Sequence, residues 1–415
     1  MYQFVESLKS DKAFFFYTGS TALYALLKSM AVGQGDGVIL QVFTCPAVPS
    51  PVVRLGATPV YVDIDPGTFN MAPDKIEAKI TKSTKAIIVQ HTYGIPAEME
   101  PILDIAREHD LWVIEDACHA LGSRYRGQEV STFGDAAFYS FGWYKPVVLG
   151  VGGAAVVNNP ILRPKVEEIY NCFVTPSLRE LLVLCFTYAA SDLLYSPTRF
   201  WLMKEVYRRL RDFKTGPRKG RIGPLILGHS FRPPLEGQAQ SIQESNPRSE
   251  TPAESPKLPK QNPVAGTMHD GKAEGKRIIP FQESRLFRKL DRWDDMIAHQ
   301  RWIVSRYEEL LSQAGYAPLE LDSHLEPVYY KYPLLFDRKK EIFEQAQQAR
   351  IEMSDIFGSP LYPAERAANW KALGYEKGMC PISEGISDRI VALPVHSRIR
   401  AKEIERTIAL LASFQ

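Results

Sequence analysis

Lys145, Asp116 and Ser140 are three reactive side chains set where buried strands are expected to end. Lys145 follows the strand-like run Ala136 to Phe141, stands five residues after Ser140, and precedes the glycine cluster Gly150, Gly152 and Gly153. An apolar run ending in Asp116 lies 29 residues before the lysine. A primary amine forms a Schiff base with an aldehyde, a carboxylate keeps a pyridine nitrogen protonated so that the ring acts as an electron sink, and a hydroxyl binds phosphate. Together these are the parts needed to hold pyridoxal 5'-phosphate (PLP).

The elements that would position them alternate along the first 160 residues. Short apolar runs at Val38 to Val42, Thr58 to Val62, Ala86 to Gln90, Leu111 to Ile114, Ala136 to Phe141 and Gly153 to Val157 read as strands, separated by helix-like stretches. This is the pattern of a parallel sheet covered by helices on both faces. Ligands of such sheets sit at the carboxyl ends of the strands, where Asp116 and Ser140 fall.

Thr18-Gly19-Ser20-Thr21 precedes Ala22 to Met30, whose apolar spacing is helical. A glycine and small hydroxyl residues at a helix start offer backbone N–H groups to an anion, favoured by the helix dipole. Taken alone, Gly19, Ser20 and Thr21 read first as an ordinary N-cap; taken with Ser140 and Lys145 they read as a phosphate cradle. Asp116 could also be the magnesium-organising acid of an ATPase, but no GxxxxGK[ST] loop precedes it.

The chain has 415 residues, 45% hydrophobic and 24% charged, enough for two or three domains with sizeable cores. A net charge of +2 argues against an extended nucleic-acid surface. The five cysteines, Cys45, Cys118, Cys172, Cys185 and Cys380, form no CxxC pair and fit a reducing compartment rather than a disulfide or zinc framework. The start Met1-Tyr2-Gln3-Phe4-Val5-Glu6 has no signal-peptide character, so a cytoplasmic location is expected.

Six blocks between Tyr17 and Val157 occur in a familiar order. They are Thr18-Gly19-Ser20-Thr21-Ala22-Leu23, Gly35-Asp36-Gly37-Val38-Ile39, the run Leu55 to Asp65, the run Lys85 to Gly94, Val113-Ile114-Glu115-Asp116-Ala117-Cys118-His119-Ala120, and Phe138-Tyr139-Ser140-Phe141-Gly142-Trp143-Tyr144-Lys145. With them the chain resembles the DegT/DnrJ/EryC1/StrS family of sugar aminotransferases. Later signposts, Tyr329 to Leu334, Leu361-Tyr362-Pro363, Pro381 to Glu384 and Leu393-Pro394-Val395-His396, extend the resemblance to about two thirds of the chain. It implies an α/β fold type I PLP-dependent transferase: a large domain with a mainly parallel, seven-stranded-type sheet between helices, and a smaller α+β carboxy-terminal domain.

By the same resemblance, Lys145 carries the cofactor, Asp116 pairs with its pyridine nitrogen, His119 bonds the ring hydroxyl oxygen, and Gly19, Ser20, Thr21 and Ser140 hold its phosphate. A homodimer is implied. So is transfer of nitrogen from glutamate or glutamine to a nucleotide-linked keto sugar, in surface polysaccharide or secondary-metabolite sugar biosynthesis. A lysine at position 145 separates the chain from the family's dehydratase branch, which carries histidine there. Three departures stand out. Cys45 replaces the aromatic ring usually laid over the cofactor, the first block begins already at Thr18, and Lys276-Arg277-Ile278-Ile279-Pro280-Phe281 replaces an asparagine-bearing run that reaches the partner's phosphate. They favour the alternative of a noncatalytic PLP-fold scaffold or regulator at a membrane glycan assembly system; Lys145, Asp116 and Ser140 oppose it. His91 and Tyr93 read as site-lining or structural.

Four segments are expected: 1–160, a PLP-binding large domain; 161–232, a helical insertion; 233–276, a disordered linker; and 277–415, the linking helix and small domain. Within the insertion, Ser177-Leu178-Arg179-Glu180 is a capping box, and Leu178, Leu181, Leu182, Cys185, Tyr188 and Ala189 share a helical face. Nine basic residues from Arg199 to Arg221 are interleaved with Phe200, Trp201, Tyr207 and Phe213. Segment 178–221 therefore reads as packed on the enzyme or its dimer mate, as a peripheral contact with an anionic membrane, or, least favoured, as a nucleic-acid site. The run from Pro233 to Lys276 has too few large apolar residues to offset its ordering entropy. Beyond it, Leu286 to Leu311 follows one long helical pattern, taken as the link to the small domain.

Overall fold

A seven-stranded sheet organises the chain, in the order β1-β9-β8-β5-β4-β2-β3. The strands are β1 (Ala13–Phe16), β2 (Gly37–Gln41), β3 (Thr58–Val62), β4 (Thr84–Gln90), β5 (Trp112–Asp116), β8 (Ala136–Ser140) and β9 (Gly153–Val157). The computed structural model describes residues 2–142, 145–182, 184–185, 188, 276–363 and 367–414. The expected basic segment beyond Tyr188 and all of the expected linker except Lys276 lie outside the described residues.

Strands β3, β2, β4, β5 and β8 run parallel. They are largely apolar without polar alternation because helices cover both faces, and their side chains are buried except Thr58, Val60, Lys85, Trp112 and Ser140. On one face α2 (Gly19–Ser29), following α1 (Gln3–Lys9), sets Ala22, Leu23, Leu26 and Leu27 against Val38, Leu40, Ile88 and Ile114, with α3 (Pro49–Arg54) beside it. On the other, Ile102 and Ala106 of α4 (Met99–Glu108) pack on Ile39, Ile87, Val89 and Val113. Each such fully buried aliphatic side chain contributes roughly 1.5–3 kcal/mol.

Two expectations are corrected here. β9 runs antiparallel to β8, and β1, which the apolar pattern did not single out, pairs antiparallel with β9 at the sheet edge. The long pattern after Pro280 is two helices, Pro280–Leu290 and Trp293–Gln313, parted at Asp291 and Arg292. We call these α6 and α7, since α5 (Arg163–Asn171) is the last named helix before them.

Short strands β6 (Arg124–Tyr125) and β7 (Gln128–Glu129) join β10 (Leu325–Glu326) in a small sheet. The carboxy-terminal block pairs β11 (Lys331–Leu335) with β12 (Ile390–Pro394) and packs them with α7, α8 (Lys339–Gln348) and α11 (Ala401–Ala412), following α9 (Ala367–Ala372) and α10 (Pro381–Arg389). Asp63, just past β3, accepts the N–H of Ile382 (2.8 Å) and the N–H and hydroxyl of Ser383 (2.8 and 2.6 Å). One carboxylate thereby fills the orphan donors of the first turn of α10.

The insertion also departs from expectation. The capping box is formed, with Ser177 N–H on Glu180 Oε2 at 2.8 Å and Glu180 N–H on Ser177 Oγ at 3.4 Å. However, Leu184 and Tyr188 are the buried side, while Leu178, Leu182 and Cys185 are exposed. The expected single face is split because the helix packs through Leu184 and Tyr188, about 100° around its axis from the exposed residues. Among the described residues, no helix is long and apolar enough to cross a membrane.

Candidate active site

Asp116 ends β5, Ser140 ends β8, and α2 begins at Gly19 beside them. Close approach is written into two glycines. A Cβ on Gly19 would stand 2.9 Å from Ser140 Cβ, and one on Gly153 would fall inside the contact radii of Gly19 N and Thr18 C. Only bare backbone lets the start of α2 lie this close against Ser140 of β8 and Gly153 of β9. Thr18 caps this helix: its Oγ1 accepts the Thr21 N–H at 3.1 Å and meets the Thr21 hydroxyl at 2.8 Å. Ser20 Oγ donates to the Ala47 carbonyl at 3.0 Å. The N-cap and cradle readings are thus compatible: Thr18 does the capping, and Gly19 and Ser20 are the first two helical residues, whose backbone N–H groups have no intrahelical acceptor.

Lys145 Nζ lies 2.9 Å from His119 Nε2. Burial, and then the Lys145 ammonium, hold the His119 imidazole well below the usual histidine range. The ring is therefore neutral, accepts from the lysine through Nε2, and carries its proton on Nδ1. Nδ1 is buried with no partner among the described residues. The His119 ring stacks on Tyr330, 4.6 Å between centroids, and Tyr330 N–H is fixed on the Tyr93 carbonyl at 2.8 Å.

The Asp116 carboxylate is buried, and its Oδ1 accepts the Cys118 N–H at 3.0 Å. Among the described residues it forms no ion pair. Cys45 shares this neighbourhood: burial pushes its thiol up, the Lys145 ammonium opposes that, and the Asp116 carboxylate adds to it. Burial raises the Cys118 thiol well above its ordinary value, again with Asp116 reinforcing. Both cysteines are protonated, unreactive thiols.

The site therefore brings together Lys145, His119, Asp116, Cys45, Ser140 and Gly19, with Ser20 and Thr21 in the following turn. Its donor set fits PLP on three observations: a buried carboxylate without a cation, an orphaned buried imidazole N–H, and a helix start pressed against Ser140. An uncompensated buried carboxylate costs several kcal/mol, which a protonated pyridine would offset.

His91 stands apart. It and Glu115 are fully buried and bonded at 3.2 Å, and His91 Nδ1 accepts the Ala97 N–H at 3.0 Å. Glu115 also takes the N–H groups of Ser131, Phe133 and Gly134. Tyr93 donates its hydroxyl to the Ile356 carbonyl at 2.8 Å. Both are structural. Arg277, in the segment that lacks the asparagine, donates to the Tyr170 carbonyl at 3.0 Å and covers the Tyr170 ring at 4.2 Å, tying the chain to the end of α5. Tyr330 and Gly153 touch the site, a role that sequence reasoning did not assign to them. The aromatic run before β11 and the glycine after the lysine are their only signals.

The sequence profile of the DegT/DnrJ/EryC1/StrS aminotransferase family matches residues 2–179 and 266–412. Among curated relatives, a GDP-perosamine synthase of Caulobacter vibrioides is 44% identical over 161 residues, covering 39% of this chain and 43% of that protein. A UDP-N-acetyl-3-dehydro-alpha-D-glucosamine 3-aminotransferase of Acidithiobacillus ferrooxidans is 41% identical over 155 residues, 37% of this chain and 42% of that one. The matched segments thus span less than half the length of these relatives. Among solved structures, a family aminotransferase from Brucella abortus superposes with a TM-score of 0.67 at 20% identity, covering 99% of this chain and 88% of the other. The fold is that of the fold type I PLP-dependent aminotransferases.

Proposed function

The chain belongs to the DegT/DnrJ/EryC1/StrS aminotransferase family, and from that premise we propose that it is a PLP-dependent aminotransferase acting on a nucleotide-linked keto sugar. The observation that carries this reading is Lys145 Nζ at 2.9 Å from a neutral His119, in one cleft with the unpaired Asp116 carboxylate and the Gly19–Ser140 helix start. The relatives named for sugar amination support the substrate class.

Bound PLP would supply an electron sink for the carbanion left when a proton leaves the donor's alpha carbon. The residues divide the remaining work. Gly19, Ser20 and Ser140 bind the phosphate end, and Asp116 holds a proton on the ring nitrogen. His119 Nδ1–H gives its unused hydrogen bond to the ring oxygen. Lys145 Nζ, once free, would take the proton from the donor's alpha carbon and give it to the cofactor carbon on the other side of the imine nitrogen, within reach of His119 Nε2, which accepts its hydrogen bond and orients it. The Tyr330 stack keeps the imidazole plane fixed and water away from that face. The same reading assigns residues 1–160 to cofactor binding and 277–415 to the linking helices and small domain, in a cytoplasmic homodimer that takes glutamate or glutamine as donor.

The test is absorption and mass spectrometry of the full chain with added PLP, before and after borohydride, followed by assay with keto sugars. A cofactor mass fixed on the peptide bearing Lys145, together with amination, is expected. No covalent link in wild type would overturn the reading and leave a noncatalytic scaffold.

A further inference from the structure

Three aromatic residues of one cluster share an unusual backbone. Phe69, Tyr93 and Phe357 have φ of 60°, 57° and 65°. This is the left-handed region, where the Cβ of a bulky side chain crowds the following carbonyl and glycine is the ordinary occupant. All three are buried and their rings meet: Phe69 and Tyr93 lie 5.7 Å apart between centroids, Tyr93 and Phe357 5.5 Å, and Phe43 packs 4.9 Å from Phe357. Such strain persists only where the surroundings over-determine it, and it gathers at functional sites.

Phe357 is where this cluster reaches the cleft. Its ring centroid lies 5.9 Å from that of His119, tilted by 47°. Among the described residues, no ring contact joins His119 to Phe69 or Tyr93. The segment that carries Phe357 is pinned on both sides of the ring. Before it, Ser354 N–H donates to the Ala392 carbonyl of β12 at 3.0 Å, and Ala392 N–H donates to the Ser354 carbonyl at 2.8 Å. After it, the Pro360 carbonyl accepts the Thr44 N–H at 3.0 Å. The ring is therefore delivered to His119 by backbone tied to both the carboxy-terminal strand pair and the large sheet. His119 needs that support, because Nε2 meets Lys145 Nζ while Nδ1 has no partner among the described residues. One hydrogen bond fixes a nitrogen, whereas packed rings fix the plane.

We propose that Phe357 is a positioning residue: its ring, held out by left-handed backbone, sets the plane of the His119 imidazole and thereby the direction in which Lys145 Nζ is held. The kinetic consequence rests on the amino-transfer reading above; the placement of the imidazole does not.

The experiment compares Phe357→Leu with Phe69→Leu in the full chain. Leucine bears the same left-handed backbone penalty as phenylalanine and removes only the flat ring. Phe69 has the same backbone and burial, so its variant reports what losing a cluster ring does by itself. In cofactor-free protein labelled with nitrogen-15 at histidine, NMR of the wild type is expected to show His119 as one neutral form with its proton on Nδ1. Phe357→Leu should narrow the separation of its two ring-nitrogen resonances, as the imidazole turns and its proton exchanges between nitrogens; Phe69→Leu should not. With cofactor and substrates, Phe357→Leu should lower kcat per folded protein about two- to tenfold at unchanged KM, the range of one aromatic contact. That loss should vanish in a His119→Asn background. Phe357→Met serves the same comparison where the leucine variant does not fold. The proposal is overturned by His119 resonances that Phe357→Leu leaves unchanged, by an equal change in Phe69→Leu, or by a kcat loss that persists in full in the His119→Asn background. A wild type without turnover, together with the altered His119 pattern in Phe357→Leu, would sink the amino-transfer reading and uphold this positioning.

Discussion

Gly153 lies directly beneath the Gly19 peptide, so close that a Cβ on Gly153 would overlap Gly19 N and Thr18 C. The strand that follows the lysine thereby sets the position of the helix start beside Ser140. Gly153→Ala should push α2 off Ser140, lowering stability by about 1–3 kcal/mol and weakening PLP binding by more than about tenfold. Urea melts and cofactor titration check both numbers.

Lys145 and Asp116 should separate chemistry from folding. Lys145→Ala is expected to lower kcat by at least about 10³-fold, with a urea midpoint close to that of wild type. Asp116→Asn should lose both turnover and cofactor affinity, because on the proposed reading the charge that would hold the pyridine proton is gone. Steady-state kinetics beside equilibrium unfolding distinguishes these outcomes from a general collapse.

His119 makes stability pH-dependent. Burial and the Lys145 ammonium keep its folded-state pKa well below that of the unfolded chain. Between the ordinary value of about 6.5 and that lower value, the unfolded state binds a proton that the folded state does not. Stability is therefore full above about pH 6.5 and declines as pH falls through that window. Melting of the PLP-free protein from neutral to mildly acidic pH should show this decline, and His119→Asn should flatten it.

Cys45 gives a gain-of-function test. A thiol offers little stacking area where the family lays a ring, and this position is only half-buried. Cys45→Phe should tighten PLP binding by about two- to tenfold, the equivalent of about 0.5–1.5 kcal/mol of aromatic stacking. Fluorescence titration of cofactor into both proteins reads the difference.

Glu115, one residue from Asp116, should behave in the opposite way. Its carboxylate is fully buried under three backbone N–H groups and His91. Glu115→Gln turns an amide group toward donors and should cost about 3–5 kcal/mol of stability. The fraction that remains folded should keep wild-type kinetics. Chemical denaturation, with activity normalised to folded protein, is the measurement.

These residues also show what the sequence could disclose. Strands β3 and β9 fall where their apolar runs place them; β9 is buried on both faces and must be apolar throughout. Lys145, Asp116 and Ser140 were legible because strand ends deliver them. The antiparallel direction of β9 was not, since a strand's own residues do not record which way its neighbour runs. β1 is four residues at an edge, too short for a period to emerge. Tyr330 reaches His119 only through the packing of the carboxy-terminal block. The outward turn of Leu178 and Leu182 was hidden for a related reason: a helix of leucines has two apolar sides, and tertiary contact chooses which one is buried.

Asp63 is the carboxylate just past β3, the position at which β5 supplies Asp116, yet it is spent on the first turn of α10. It acts as a rivet. The edge of the central sheet and the carboxy-terminal block share one carboxylate, and parting them would strand the backbone donors at the start of α10. The two blocks should therefore melt together as a single cooperative unit, and access to the cleft must come from the loops around it rather than from a hinge at this joint.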